Sequence, residues 1–360
     1  MLAAVINTIG NGFDIEELDI DEPRGQEILV KVEAAGLCHS DHIVATTDRG
    51  RPLPMVVGHE MAGVVVGLGP EASDFTIGDH VIASEISFCG TCEECINGAT
   101  FRCLNPQHAL RGSDAPARLS RKGERVEGFG VAGFAEYTVL HQNKLVRVPE
   151  QIPFAQAAVL GCATATGVGA VLNAAKVAPG ETVAVVGLGG IGLNVIQGAR
   201  LAGAKTIIGI DLQPDKLELA KKFGATHVIN GREEDVLATV RQITGGGVHH
   251  SFEAIGLAAT QRQAMEVTKT GGHVYFIGIP QGQPLDMNIM LDLLIPQRNL
   301  HGIYMGSSSV RKDIPYYAEL YLQGRLNLND LVAQEISLQD INDAYATQET
   351  GSIARSVIRF

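Results

Sequence analysis

Short apolar segments alternate with helix-patterned ones through the middle third of the chain. Residues 182–186 (TVAVV) predict a β-rich, fully buried strand, and a helical pattern runs through LNVIQGARLAGA shortly after it. A second strand, KTIIGI, ends at Asp211. Further strands are expected at 226–230 (THVIN), 248–255 (VHHSFEAI), 273–279 (HVYFIGI) and 299–305 (NLHGIYM). The helical stretches PDKLELAKKF and EEDVLATVRQI separate the first of these. Such alternation predicts an α/β fold with a parallel, doubly wound sheet. In the last segment Ile303 and Met305 alternate with Gly302 and Tyr304, so the strand has apolar side chains to bury.

Between the first strand and its helix stands Gly187-Leu188-Gly189-Gly190-Ile191-Gly192, a G-x-G-x-x-G run in the context that gives it meaning. Gly187 permits a tight turn, Gly189 lets a pyrophosphate approach the backbone, and Gly192 lets helix pack on strand. The helix N-terminus then offers free N–H groups and the positive end of its dipole to phosphates. Asp211 lies 19 residues after Gly192, where a carboxylate accepts from ribose hydroxyls and repels a 2′-phosphate. Leu212, Gln213 and Pro214 follow, with no arginine among them, which favours NAD over NADP. Glycine-rich turns also serve packing alone, and a strand-end acid can be merely solvated. The combination is what points to a dinucleotide.

At 360 residues the chain is long enough for two domains, and 45% hydrophobic content is ample for buried cores. A formal charge of −12 disfavours nucleic acid and anionic membrane surfaces as partners. Met1 leads directly into LAAVI, so no signal peptide is expected, and no long uninterrupted apolar window predicts a membrane span.

The six cysteines add the chemistry. Cys89, Cys92, Cys95 and Cys103 read C-x2-C-x2-C-x7-C, four thiolates within one short loop. Zinc closes its tetrahedral shell with such a set and serves structure. Two disulfides are the alternative, and they need an oxidising compartment. Cys38 in GLCHSD, His59 in GHEMAG and Cys162 in LGCATATG make a Cys2His set that leaves one position open, as a catalytic zinc requires. Buried free thiols and a core histidine are the plain alternative. The four-cysteine loop and the dinucleotide motif in the same chain argue for metal.

GLCHSD, GHEMAGVVVGLG, the four-cysteine loop, GCATATG and GLGGIG occur in that order. Together they resemble the zinc-dependent medium-chain alcohol dehydrogenase family, in its liver-type or class III-like branch, from near residue 1 to Phe360. The resemblance implies a catalytic domain with a GroES-like β-barrel at 1–163 and 305–360, a Rossmann domain at 164–304, and an active site in the cleft between them. It implies Cys38, His59 and Cys162 as catalytic zinc ligands, with Glu60 beside the metal in ligand exchange. Asp41 would orient the ligand histidine, and Ser40 would hydrogen-bond the bound alcohol. Thr166 would approach the nicotinamide, Lys216 the adenosine ribose, and His39 and Arg355 the pyrophosphate. Gly187, Gly189, Gly190, Ile191, Gly192, Asp211 and Ile279 complete the cofactor site. Two zinc ions per chain and NAD are the implied cofactors. The implied reaction is hydride exchange between a metal-acidified alcohol and the nicotinamide, in a cytoplasmic homodimer or, alternatively, a homotetramer.

Three features mark this chain within that resemblance. The relay histidine often found five residues after the first zinc cysteine is Ile43 here, with His42 beside it. Four residues before Cys89, where an aromatic often lines the pocket, stands Glu85. Thirty residues separate Cys103 from Gly133, as in liver-type dimers and thiol-adduct dehydrogenases rather than compact tetramers. The open readings are a dehydrogenase of free alcohols, a dehydrogenase of a thiol–formaldehyde adduct, a polyol dehydrogenase, and a non-catalytic zinc- or nucleotide-binding protein.

Overall fold

The computed structural model describes residues 1–112, 115–349 and 355–360. Positions 113 and 114 of the stretch after Cys103 lie outside the described residues. The chain divides into two units, Met1–Cys162 with Ser309–Phe360, and Ala163–Ser308.

The second unit is built on six parallel strands. Their spatial order is His227–Asn230, Thr206–Asp211, Thr182–Val186, Val248–Glu253, Thr268–Phe276 and Asn299–Gly302. Numbered along the sequence this is 3-2-1-4-5-6, the doubly wound order whose switch point lies beside the first strand. Thr182–Val186 is buried along its whole length, as a central strand covered on both faces must be. The helices are punctuated as their sequences require. Pro214 opens Pro214–Phe223 at a position where no N–H is needed, and Gly203 and Gly224 end their helices in the left-handed region.

Three strands differ from the sequence expectation, and the one expected at 248–255 stops at Glu253. The HVYFIGI strand starts earlier, at Thr268, and stops at Phe276, because Gly278 turns away so tightly against Gly256 that a Cβ would not fit. The last strand ends at Gly302 rather than Met305. Met305, Gly306 and Ser307 take positive φ values of 47°, 65° and 51°, and Ser308 donates its hydroxyl to the Ala165 carbonyl at 2.9 Å. These contacts fold residues 305–308 onto the Ala165–Gly169 helix, so they belong to the nucleotide-type unit.

In the first unit the long strand Glu27–Gly36 organises a seven-stranded sheet, pairing with Tyr137–His141, Glu60–Leu68 and Ser356–Arg359. A second, six-stranded sheet contains Leu2–Ile6 and packs its apolar residues into the same buried cluster. Register positions the chemistry. Gly36 pairs with both Glu60 and Val357, so Cys38, His59, Glu60 and Arg355 emerge at one end of the sheet.

The helical run Phe154–Ala175 is long and apolar enough to cross a membrane by length and composition alone. Of its most apolar 18-residue window 89% is buried, the mark of a core helix.

Candidate active site

Cys38 precedes the helix His39–Thr46, His59 immediately precedes the strand Glu60–Leu68 that Glu60 opens, and Cys162 sits in the helical run after Phe154. One donor atom from each of these four residues lies within 4.8 Å of all the others. His59 Nε2 is 3.2 Å from Cys162 Sγ. The other ring nitrogen, Nδ1, is 3.0 Å from Asp41 Oδ1, which also accepts from the Gly58 N–H at 3.1 Å. With Nδ1–H donating to Asp41, the Nε2 lone pair faces the thiols. Ser40 Oγ donates to Cys38 Sγ at 3.0 Å and stands 3.5 Å from His59 Nε2.

The electrostatics of this cluster fit a cation. A hydrogen bond from Cys162 pulls the Cys38 thiol well below its ordinary pKa against the effect of burial, with help from Arg355 and His59. The same bond, burial and the Cys38 charge push Cys162 well up. Two thiols at hydrogen-bond distance share one proton unless a metal lets both ionise. Burial alone would lower the His59 pKa, but Asp41, Cys162 and Cys38 outweigh it and raise it well above normal. Burial raises the Glu60 carboxyl despite Arg355. Its Oε2 is buried without a partner, as an oxygen available to a metal would be. Zinc matches a donor set of two thiols, an imidazole and a carboxyl.

The four-cysteine loop brings its Sγ atoms equally close, within 4.8 Å of one another. Every cysteine is free, so the disulfide alternative is set aside. Backbone N–H groups point at the sulfurs: Cys89 N to Cys103 Sγ at 3.2 Å, Cys92 N to Cys89 Sγ at 3.3 Å and Asn105 N to Cys103 Sγ at 3.3 Å. Donation from the Thr91 backbone and hydroxyl lowers Cys89 to about 5, and burial raises Cys95 to about 12. Donors aimed at sulfur favour thiolates, the form that zinc takes.

In the other unit, the glycines of the first turn meet the demands read from the motif. Gly187 has φ 93°, a Cβ at Gly192 would fall on the Gly187 carbonyl oxygen, and nothing lies within 4 Å of a Cβ at Gly189. Gly190 and Ile191 begin the helix Gly190–Ala202. Asp211 does more than the sequence disclosed. Its Oδ2 accepts from the Leu188 N–H at 2.8 Å, and its Oδ1 accepts from Leu212 and Gln213 at 2.7 and 3.0 Å. The carboxylate therefore ties the glycine turn to the end of the second strand. Thr166 is buried in the Ala165–Gly169 helix with Oγ1 3.9 Å from Met305 Sδ, Lys216 is half-buried, and Ile279 is exposed.

The structure brings Ser40, Asp41 and Arg355 to the Cys38 cluster. Arg355 Nη2 donates to Glu60 Oε1 at 2.9 Å and to Cys38 Sγ at 3.5 Å. His39 is exposed, its ring 5.9 Å from that of His42. His42 in turn lies 5.1 Å from Tyr345. Glu85 packs where a side chain at Gly130 would fall, and Lys144 Nζ donates to the Gly130 carbonyl at 2.8 Å. Sequence reasoning missed Tyr345, whose hydroxyl donates to the Cys38 carbonyl at 3.2 Å. A signal was present: the Ser337–Asp340 capping box announces a helix in which Ile341, Ala344 and Tyr345 share one buried face.

The comparisons agree with this geometry. Residues 24–150 match the family described as Alcohol dehydrogenase GroES-like domain, and residues 190–323 match Zinc-binding dehydrogenase. An S-(hydroxymethyl)glutathione dehydrogenase of Synechocystis sp. is 38% identical, with 99% of each chain covered. The class-3 alcohol dehydrogenase of Drosophila melanogaster is 36% identical over 96% of this chain and 94% of its own. The crystal structure of benzyl alcohol dehydrogenase from Acinetobacter calcoaceticus superposes with a TM-score of 0.93 at 34% identity, covering 100% of this chain and 99% of that one. The chain therefore belongs to the zinc-dependent medium-chain alcohol dehydrogenase family, in its class III-like branch. It is an oxidoreductase that works with zinc and NAD.

Proposed function

We propose that the protein interconverts free alcohols and their aldehydes or ketones, exchanging hydride with NAD. The observation that carries this reading is the convergence of Cys38, His59 and Cys162 with the Ser40 hydroxyl 3.0 Å from one and 3.5 Å from another. Cys38, His59 and Cys162 would hold the catalytic zinc with Glu60 in reserve, and Cys89, Cys92, Cys95 and Cys103 the structural one. Bound zinc supplies Lewis acidity that lowers the pKa of an alcohol hydroxyl. Ser40 Oγ would hydrogen-bond the hydroxyl of the bound alcohol. Asp41 holds the His59 tautomer. Met1–Cys162 with Ser309–Phe360 would be the catalytic domain and Ala163–Ser308 the NAD domain. There Gly187, Gly189, Gly190, Ile191 and Gly192 would receive the pyrophosphate, with Asp211 and Lys216 at the ribose and Thr166 and Ile279 at the nicotinamide end. His39 and Arg355 would be pyrophosphate partners, as the resemblance implies, with Arg355 also held by Glu60.

A second reading, oxidation of a glutathione–formaldehyde adduct, draws on the printed function of the Synechocystis relative. The adduct carries two carboxylates and calls for unengaged cations. In the inserted stretch Arg111 and Arg118 pair with Glu27, Arg121 with Glu16 and Arg125 with Glu127. Lys122 in the same stretch is exposed and makes no ion pair among the described residues, so the free-alcohol reading rests on the Ser40 geometry rather than on these cations. Turnover of a panel of alcohols with NAD and NADP, and of formaldehyde with and without glutathione, decides between them. Thiol-independent oxidation of simple alcohols is expected, and activity confined to formaldehyde with glutathione would reverse the order.

The proposal extends to a cytoplasmic homodimer. Asn299–Gly302 is the edge of its sheet, and just before it Ile289, Met290, Leu291, Leu294 and Ile295 are all exposed. An unpaired edge beside apolar side chains is a liability that pairing with a second copy removes. Light scattering should give a mass near two chains. A mass near one chain would remove the edge-pairing argument, and one near four would favour the tetramer.

A further inference from the structure

We propose that Tyr345 is a positioning residue for the catalytic metal site, fixing Cys38 and the first turn of the following helix through the Cys38 carbonyl. This rests on the reading of Cys38 as a zinc ligand.

The Cys38 carbonyl oxygen is a junction. It accepts from the Asp41 and His42 N–H groups at 3.1 and 3.4 Å, and the helix that begins there has no side-chain cap of its own. The Tyr345 hydroxyl supplies an anchor from a distant element, donating to the same oxygen at 3.2 Å. The peptide it holds carries Cys38 Sγ on one side. On the other it leads to Ser40 and to Asp41, the carboxylate that orients His59. A shift of this peptide would therefore move a candidate ligand, the substrate-facing hydroxyl and the histidine's partner together.

The ring that delivers the hydroxyl cannot wander. Phe13 stacks on it at 5.5 Å and 15°, Phe134 meets it edge-on at 6.5 Å, and His42 covers it at 5.1 Å. Asn342, three residues earlier on the same helix, grips the Phe13 backbone with both amide atoms at 2.9 Å. A Cβ at Gly12 would lie 2.6 Å from the Asn342 Oδ1, so glycine is what permits that grip. Phenylalanine would fill the same space. The oxygen alone reaches the metal-site peptide, and outer contacts of this kind govern ligand geometry within a fraction of an ångström.

The test is Tyr345→Phe in the full-length, zinc-loaded protein, read by metal rather than by turnover alone. Weakening of zinc at the Cys38 site by about 10-fold is expected, as for loss of other contacts behind metal ligands. The four-cysteine zinc should hold as in wild type, and the visible spectrum of the Co(II)-substituted protein should shift. A wild-type Co(II) spectrum with unchanged zinc affinity overturns the proposal, whatever happens to Tm. So does equal weakening at both zinc sites, which would signify general loosening. If Tyr345→Phe does not fold, Asn342→Ser, which keeps the hydroxyl but releases the helix, must give a smaller shift of the same Co(II) bands, and an unshifted spectrum overturns the proposal. Wild-type protein that binds no metal at Cys38 would instead refute the zinc-ligand reading itself.

Discussion

Arg355 Nη2 and Glu60 Oε1 form an ion pair at 2.9 Å with side chains only 5% and 0% exposed. The sequence resemblance assigned these residues separately, one to cofactor phosphate and one to the metal. The structure shows them bound to each other beside Cys38. Gly36 makes the arrangement possible, since a Cβ there would meet the Glu60 side chain. Removing one partner of a buried pair strands the other charge, which typically costs about 3–5 kcal/mol. Arg355→Ala is expected to destabilise the protein on that scale in urea unfolding, and Arg355→Met with Glu60→Gln together should recover part of the loss. A single-variant cost near zero would show that the pair contributes nothing to the fold.

The two proposed zinc sites should fail differently. Cys95→Ser removes one of four thiolates that tie a loop with little other core, so a lower Tm or impaired folding is expected. Cys162→Ser lies in a well-packed helical run and should leave folded protein without activity. Metal analysis should find two zinc ions per wild-type chain. Fully active protein with no zinc would contradict both assignments, and with one zinc the assignment of two.

Asp211 has a structural task and a proposed one at the cofactor ribose, and its substitution should reveal both. Asp211→Gly, combined with a basic residue nearby, removes the charge that repels a 2′-phosphate and should raise the NADP to NAD ratio of kcat/KM. It also removes three backbone N–H partners, so a Tm loss is expected alongside. Wild type that uses NADP as well as NAD would undo the selectivity argument. Unchanged stability would undo the structural one.

Periodicity made the parallel sheet legible because its strands are short, apolar and bounded by helices with plain start and stop residues. It failed where the chain leaves the sheet. Ile303–Met305 has the composition of a strand, but positive φ at Met305 and the close fit of Gly306 against Ala165 and Thr166 decide the path. The strand expected to begin at His273 already begins at Thr268, paired through a shifted register at Val248 and His250. In the site, the candidate metal donors were visible as residue types at familiar spacings. The Tyr345 bond to the Cys38 carbonyl and the Arg355–Glu60 pair were not, because hydrogen bonds across some 300 residues leave no local pattern even where the helix that carries Tyr345 announces itself.

The histidines away from the zinc sites predict acid sensitivity. Burial, with a smaller contribution from His108, lowers His141 to about 4, and burial likewise lowers His249, His250 and His301. In the unfolded chain each would titrate near ~6.5. The unfolded state thus binds more protons than the folded one below that value. Stability should be complete above about pH 6.5 and decline as pH falls toward about 4, with His141 alone worth up to about 3 kcal/mol. The Glu27 carboxyl extends the decline. Burial opposes its ionisation, but Arg111 and Arg118 outweigh burial and hold it below the usual range, so its contribution is lost further down in acid. Urea unfolding of the metal-loaded protein at pH 7.5, 6 and 5 measures the slope. His141→Asn keeps an acceptor for the Asn143 N–H, which His141 Nδ1 meets at 3.1 Å, and removes the titrating ring. That variant should flatten the slope, and an equally steep one would assign the acid loss to other groups.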